Sequence, residues 1–194
     1  MAQEQANSVG TAMAILDIAE RLVQQRGFNG FSYADVSAEL GITRASLHYH
    51  FAGKAQLGEA LISRYATRFA ASLTDIDTLA APPIGKLRSY CEIYRGVLAE
   101  HRMCLCGMLA AEFDTLPGAV RQAVINFFDQ NQAWLSAFLE RSSEAGALRL
   151  VGPPDRAART VIAALEGAML VSRPYGDTAV LDSVTDRIIE EFSA

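Results

Sequence analysis

Three cysteines, one tryptophan and six prolines are all that this 194-residue chain offers of the residues that staple or stiffen small folds. Cys91, Cys104 and Cys106 are odd in number and fit no extracellular framework. Reduced thiols in a cytoplasmic protein are therefore expected. A long apolar run is also missing. The longest, VIAALEGAMLV at 161–171, is far too short for a membrane span and is interrupted by Glu166, so no membrane partner is expected. The N-terminal MAQEQANSVG is polar and lacks the apolar stretch of a secretory leader. No phosphate-binding glycine loop, paired-carboxylate motif or Ser-His-Asp ordering stands out, so neither an enzyme nor a cofactor is expected. Positive charge is scarce as well, with a formal net charge of −5. Up to Arg68 there are six basic and six acidic side chains, so the remainder carries the whole acidic excess. Any nucleic-acid binding must come from individually placed side chains and not from bulk charge.

What is present is apolar residue at helical spacing. Ile15, Ile18, Ala19, Leu22 and Val23 line one face of an amphipathic helix, and Gly27 ends it. Ser32 followed by Asp35 reads as a capping box for a second helix whose inner face is Val36 and Leu40 and whose stop is Gly41. Thr43 caps a third helix running to about residue 50, and a fourth starts near Lys54. Two helices separated by a glycine-containing turn of about three residues have the anatomy of a helix-turn-helix, here about 32–51.

Residues 79–84, LAAPPI, break this N-terminal unit from the rest. Further helices are expected over 84–100, 105–112, 118–144, from a cap at Asp155 to about 172, and over 178–192. No strand alternation, repeat or low-complexity segment is visible. The expected fold is all-α, with about nine helices: a three-helix head over 8–68 and a larger helical domain over 84–194.

The segment GITRASLHYHF, 41–51, carries the functional reading. With Leu47 inward, Phe51 lies beside it and both anchor the third helix. Ala45 and Tyr49 point away, Ser46 and His48 flank them, and Arg44 has the length to reach outward. A face that is small near its start and hydrogen-bonding along its length suits a DNA major groove. Lys54, opening the fourth helix, is placed to clamp a phosphate. The pattern alone leaves open a solvated face on an ordinary small helix.

The run GFNGFSYADVSAELGITRASLHYHFAGKAQL, 27–57, resembles the N-terminal domain of the TetR family of transcriptional regulators. The carriers are the Gly-Phe pair after helix one, the Gly41-Ile42-Thr43-Arg44 turn, the HYHF block and Lys54 three residues after Phe51. The resemblance covers roughly 8–68 closely and the remainder loosely. It implies an all-helical homodimer with a DNA-binding head, and a C-terminal domain that binds a small molecule, which typically releases the protein from DNA. By position it assigns DNA contacts to Thr43, Arg44, Ala45, Ser46, His48, Tyr49 and Lys54. One departure stands out: the family usually has Tyr where this chain has His48, and often His where it has Tyr49. The swap changes reach and introduces a group that can titrate near neutrality. His50, nearer the buried side, reads as structural.

The segment HRMCLCGMLAAEF, 101–113, resembles a CL-x-x-L-x-AE stretch in a branch of that family, some of whose members sense electrophiles or oxidants through a cysteine. Cys104 falls on that position. His101, Arg102 or the start of the next helix would supply the positive field a reactive thiolate needs, and modification would add bulk or charge at the base of helix six and shift the spacing of the heads. Plain burial of Cys104 and Cys106 as small apolar residues stays open. The H-x-x-C-x-C spacing of His101, Cys104 and Cys106 matches no common zinc pattern, so no metal is expected. Tyr94, Met103, Cys104, Met108, Phe113, Phe127, Phe128 and Trp134 supply apolar and aromatic surface along helices five to seven, where the family holds a mostly apolar effector. Ala163, Ala164, Gly167 and Ala168, with Leu181, Val184 and Ile188 on the last helix, read as the face where two copies meet. Pairing two heads one DNA turn apart implies a palindromic operator. Two other readings stay open: a helical interaction module with a vestigial helix-turn-helix, and a cysteine-dependent enzyme.

Overall fold

The computed structural model describes residues 2–193, with side chains over 8–193; Ala194, the last residue of the expected C-terminal domain, lies outside them. Among the described residues there are nine α-helices and no strand. They are α1 (Ala2–Arg26), α2 (Tyr33–Leu40), α3 (Arg44–His50), α4 (Lys54–Thr78), α5 (Pro83–Ala99), α6 (Leu105–Ala111), α7 (Gly118–Glu144), α8 (Pro154–Ser172) and α9 (Ala179–Phe192). Two short 3₁₀ turns, Phe113–Thr115 and Arg173–Tyr175, complete the order. The chain forms two compact units, divided inside α4 and inside α7. The first runs up to Ala66 and adds Leu105–Ile125; the second takes Thr67–Cys104 and everything described from Asn126 onward.

In the first unit the local signals act as the sequence suggests. The Ser32 side chain accepts from the Asp35 N–H while the Asp35 carboxylate accepts from the Ser32 N–H at 2.7 Å. These Ser32 bonds hold the Asp35 carboxyl below the usual carboxylate range. Gly41 closes α2 in the left-handed region at φ +68, and the Ile42 N–H returns to the Ser37 carbonyl. Thr43 Oγ1 then accepts from the Ser46 N–H at 3.1 Å and starts α3. α1 packs on α2, α3 and α6. Ile15, Ala19, Leu22 and Val23 bury their face with Phe28, Phe31, Val36, Leu47 and Phe51. Leu40 is only half-buried and Ser37 is the second buried position of α2, so the inner face of that helix is rotated from the sequence reading.

In the second unit α8 packs on α9, and α5 packs on both. Arg95 Nε donates to Asp182 at 2.8 Å and Arg88 meets Asp186 at 3.1 Å, both along the α5–α9 contact. Asp155 does not cap α8. Pro153 holds the cap position and Pro154 the first helical one, so Asp155 stands in the first turn and meets Arg159 at 3.5 Å. A proline without an N–H is suited to that first position, and a carboxylate in the first turn favours the helix dipole without capping.

Leu47 has no solvent exposure and is the one fully buried side chain of α3. Leu47→Ala is expected to lower the unfolding free energy by about 2–5 kcal/mol. The measurement is a urea titration, with the midpoint falling at unchanged slope.

Candidate functional site

α3 has the polarity that recognition of a groove requires. Thr43, Arg44, Ala45, His48 and Tyr49 are exposed, Ser46 is half-buried, and Leu47 points into the unit. Tyr49 is 80 % exposed, and its ring meets His50 edge-on at 5.3 Å. His50 is half-buried. His48 is partly committed to its own surroundings: Nδ1 lies 3.2 Å from the Ala52 carbonyl, and the ring tilts against Tyr33 at 4.8 Å. A carbonyl only accepts, so Nδ1 carries the proton and Nε2 is the nitrogen left for another partner. Tyr33, not singled out from the sequence, donates its hydroxyl to the Phe51 carbonyl at 3.1 Å and so ties the start of α2 to the end of α3. Burial pushes its phenol up to about 12.

Lys54 has an internal role that its sequence position concealed. Its ammonium donates to the Phe31 carbonyl at 2.5 Å and sits over the rings of Phe28 and Phe31, 4.9 and 4.3 Å from their centroids. Burial lowers its pKa, opposed by Glu112 and Asp35. It still lines an open cleft of about 450 Å³ with Ser32, Tyr33, Arg44 and His48. That cleft places three basic side chains at the start of α2. An ammonium has three donors, and one goes to Phe31.

The turn after α1 is held from a distant part of the chain. The Glu112 carboxylate accepts from the Phe28 N–H at 2.5 Å and the Asn29 N–H at 3.3 Å, and Asn29 Nδ2 donates to Thr115 Oγ1 at 2.7 Å. Two successive amides converging on one anion form a small nest. Gly27 precedes it at φ +84, and a Cβ there would stand 2.8 Å from both carboxylate oxygens. Hence glycine serves this position twice, by conformation and by clearance.

In the second unit a buried polar ring sits among aromatic side chains. Asn131 Nδ2 donates to the Tyr94 hydroxyl at 3.0 Å, the Tyr94 and Tyr90 hydroxyls lie 3.1 Å apart, and Tyr90 donates to Asn131 Oδ1 at 2.9 Å. With Tyr90 donating onward, the proton between the phenols belongs to Tyr94, and the ring closes. Burial pushes both phenol pKa values well up. Trp134 stacks on Tyr90 and Phe138 at 5.6 and 5.5 Å, with Nε1 donating to Asp77 at 2.9 Å. Phe127 meets Phe69 at 5.1 Å, and Phe69 meets Tyr94 at 6.3 Å. Tyr94, Phe127 and Trp134 thus share one aromatic core, with Phe128 against Phe127 at 5.4 Å. Met103 and Cys104 are buried in the same unit; Met108 and Phe113 are half-buried and belong to the first.

Cys104 immediately precedes α6 and is 2 % exposed. Its side chain is hydrogen-bonded to the carboxyl of Glu166 on α8. Burial pushes that carboxyl up to about 7, against the Cys104 bond, which lowers it. The cations expected beside the thiol are engaged differently: Arg102 pairs with Glu100 at 3.4 Å, and His101 turns the chain at φ +56. Cys91 is buried and its thiol pushed up to about 12, which suits a packing role. Cys106 is fully buried on α6. The trace of Glu166 in the sequence was one charge inside an apolar run; Glu112 closed the AE of the 101–113 segment without showing its partners, and Asn131 left no trace, because the partners of both lie far along the chain.

The outer face of α8 carries exposed Ala163, Gly167, Leu170 and Val171. Ala168 is buried and Ala164 half-buried. The α9 stripe corrects the sequence reading: Leu181 and Ile188 are buried within the unit and Val184 is half-buried, because α9 turns that stripe toward α8 and α5. No described helix is long and apolar enough to cross a membrane.

Comparison with known proteins agrees with this geometry. Residues 15–61 match the family model for bacterial regulatory proteins of the tetR family, and residues 83–188 match the tetracyclin repressor-like C-terminal domain. A TetR-family transcriptional regulator from Agrobacterium tumefaciens superposes with a TM-score of 0.92 at 35% identity, over 96% of this chain and 100% of its own. The transcriptional repressor DhaR of Mycobacterium sp. strain GP1 is 25% identical over 86% of this chain and 84% of its own length. The repressor NemR of Escherichia coli K12 is 26% identical, with 82% of each covered. With a capped, outward-facing α3 in the first unit and both halves matched, the chain belongs to the TetR family of helix-turn-helix, DNA-binding transcriptional regulators.

Proposed function

We propose that the chain is a cytoplasmic homodimeric repressor, holding a palindromic operator with α3 of each copy and released by a small effector. The observation that carries this is the division of α3 into one buried side, Leu47, and an exposed side of Thr43, Arg44, Ala45, His48 and Tyr49. Arg44 reads a base edge, with guanine as its best bidentate partner. Thr43, Ser46 and Tyr49 take phosphates or base edges, Ala45 lets the helix sit deep, and His48 contributes Nε2. Lys54 meets a phosphate with its remaining donors at the cleft beside Ser32 and Tyr33. Repression is supported by relatives that are named repressors, DhaR and NemR. The effector is a small, mostly apolar molecule held in the Tyr94, Phe127 and Trp134 region, or an electrophile or oxidant that modifies Cys104. The protein acts by binding and not by turnover.

Dimer formation is supported by the apolar stretch on α8, since Leu170 and Val171 are 60% and 52% exposed on a single chain. Solvent-facing apolar residues in such a run mark an association surface. Leu170→Asp is expected to shift the sedimentation coefficient to that of the monomer and to abolish the operator complex. A monomeric wild type at micromolar concentration contradicts the reading.

A mobility shift on DNA upstream of the gene separates a regulator from a helical interaction module. Arg44→Ala should cost about 1–3 kcal/mol at one base pair and relax preference there. Lys54→Gln should weaken binding on all sequences alike and reduce the salt slope by about one. An unchanged slope with weakened binding would confine Lys54 to its role at Phe31.

A further inference from the structure

The exposed face of α3 contains an imidazole, the side chain whose charge changes between about pH 5 and 8. It belongs to His48, and the end of its own helix sets its hydrogen-bonding state. Nδ1 lies 3.2 Å from the Ala52 carbonyl. A carbonyl only accepts, so the Nδ1 proton stays in place whether the ring is neutral or charged. The ring is also held in orientation, tilted on Tyr33 at 4.8 Å between centroids. Among the described residues Nε2 has no partner. In the neutral ring that nitrogen is a bare lone pair, able to accept a proton and unable to donate one.

His48 lines the open cleft of about 450 Å³ with Ser32, Tyr33, Arg44 and Lys54, and among the described residues no carboxylate lines it. A phosphodiester in that cleft offers oxygen lone pairs and no hydrogen. A neutral His48 would therefore meet it lone pair to lone pair. Resting on the reading above that Lys54 meets a phosphate here, we propose that DNA binding loads a proton onto His48 Nε2, so that each head takes up a proton as its phosphate docks. The new N–H bond draws its proton from water or buffer, and no bond of the DNA breaks. In the empty cleft a third positive charge is repelled by Arg44 and Lys54; a docked phosphate attracts it.

The charged and titratable groups around His48 come from three helices. α3 itself supplies Arg44, which keeps its charge throughout. α2 supplies Tyr33, whose phenol burial pushes up to about 12 and so leaves uncharged. The Asp35 carboxylate, also on α2, is spent on the Ser32 N–H and hydroxyl at 2.7 and 2.6 Å. α4 supplies Lys54, the competing titration: burial lowers its pKa, and Glu112 and Asp35 oppose that shift. The sign follows from where the proton sits. The complex holds it and the free protein releases it as pH rises, so DNA affinity falls with rising pH and levels off where free His48 is already charged.

The test uses the full-length protein and duplex DNA from upstream of the gene, at fixed salt. Fluorescence anisotropy gives the affinity between about pH 6 and 8. Calorimetry in two buffers of different ionisation heat counts the protons taken up. Wild type should take up a proton at each head, with affinity falling by up to about tenfold per head for each pH unit. His48→Gln, which keeps an amide donor that needs no proton, should bind with the uptake and the pH dependence gone. His50→Gln, His101→Gln and Glu166→Gln should keep both; Glu166 is included because its carboxyl is pushed up to about 7. Circular dichroism checks that the variants are folded. Zero uptake by wild type overturns the inference, and so does uptake that survives in His48→Gln, which would belong to Lys54. Affinity that falls as pH falls overturns it too, because Nε2 would then be accepting from a base amino group. In each of these cases the DNA-binding reading stands. No complex at any pH defeats that reading and this inference together.

Discussion

A helix of seven residues does not persist alone in water, because nucleation is unfavourable and so few hydrogen bonds follow it. α3 is that helix, and the first unit is organised around keeping it in one orientation. Thr43 satisfies its first turn, Leu47 anchors its middle, and Phe51 with the Tyr33 hydroxyl fixes its end. Once these points are set, the remaining side chains have no freedom to choose a face. Arg44, Ala45 and Tyr49 are directed outward because the opposite side is fully committed.

The same economy appears one turn earlier in the chain. The loop between α1 and α2 has no secondary structure of its own, and its amides would otherwise depend on water. Glu112 binds two of them, and Lys54 binds the Phe31 carbonyl a few residues on. An acid and a base from elsewhere in the unit thus hold opposite ends of one short connection. Burial lowers the Lys54 pKa, and Glu112 opposes that shift. Lys54, which also lines the open cleft beside Arg44, is therefore a structural post.

Local chemistry was the part legible in the sequence. The Ser32–Asp35 box, the Gly41 stop, the Thr43 cap and the inward Leu47 all depend on residues three or four apart, and each is realised. The all-helical fold followed from the spacing of apolar residues, and the family from the run 27–57. Orientation across longer separations was not legible. Lys54 turns inward because of two phenylalanines more than twenty positions back, and the α9 stripe turns inward because α8 already occupies that side. Asp155 read as a cap because a carboxylate suits that role, although the start belongs to the two prolines before it, Pro153 and Pro154. Glu166 announced itself as an interruption in an apolar run, but nothing in that run named Cys104 as its companion.

The Tyr90–Tyr94–Asn131 ring is a loop in which each member gives one proton and takes one. A guest entering that part of the core finds both phenolic protons and one amide proton already engaged, which leaves it the second amide proton of Asn131 and the remaining lone pairs. Losing any one member would leave the other two bonded to each other, one of them short of a donor and the other short of an acceptor. A single substitution in this ring would therefore set one new donor and one new acceptor before whatever enters that core.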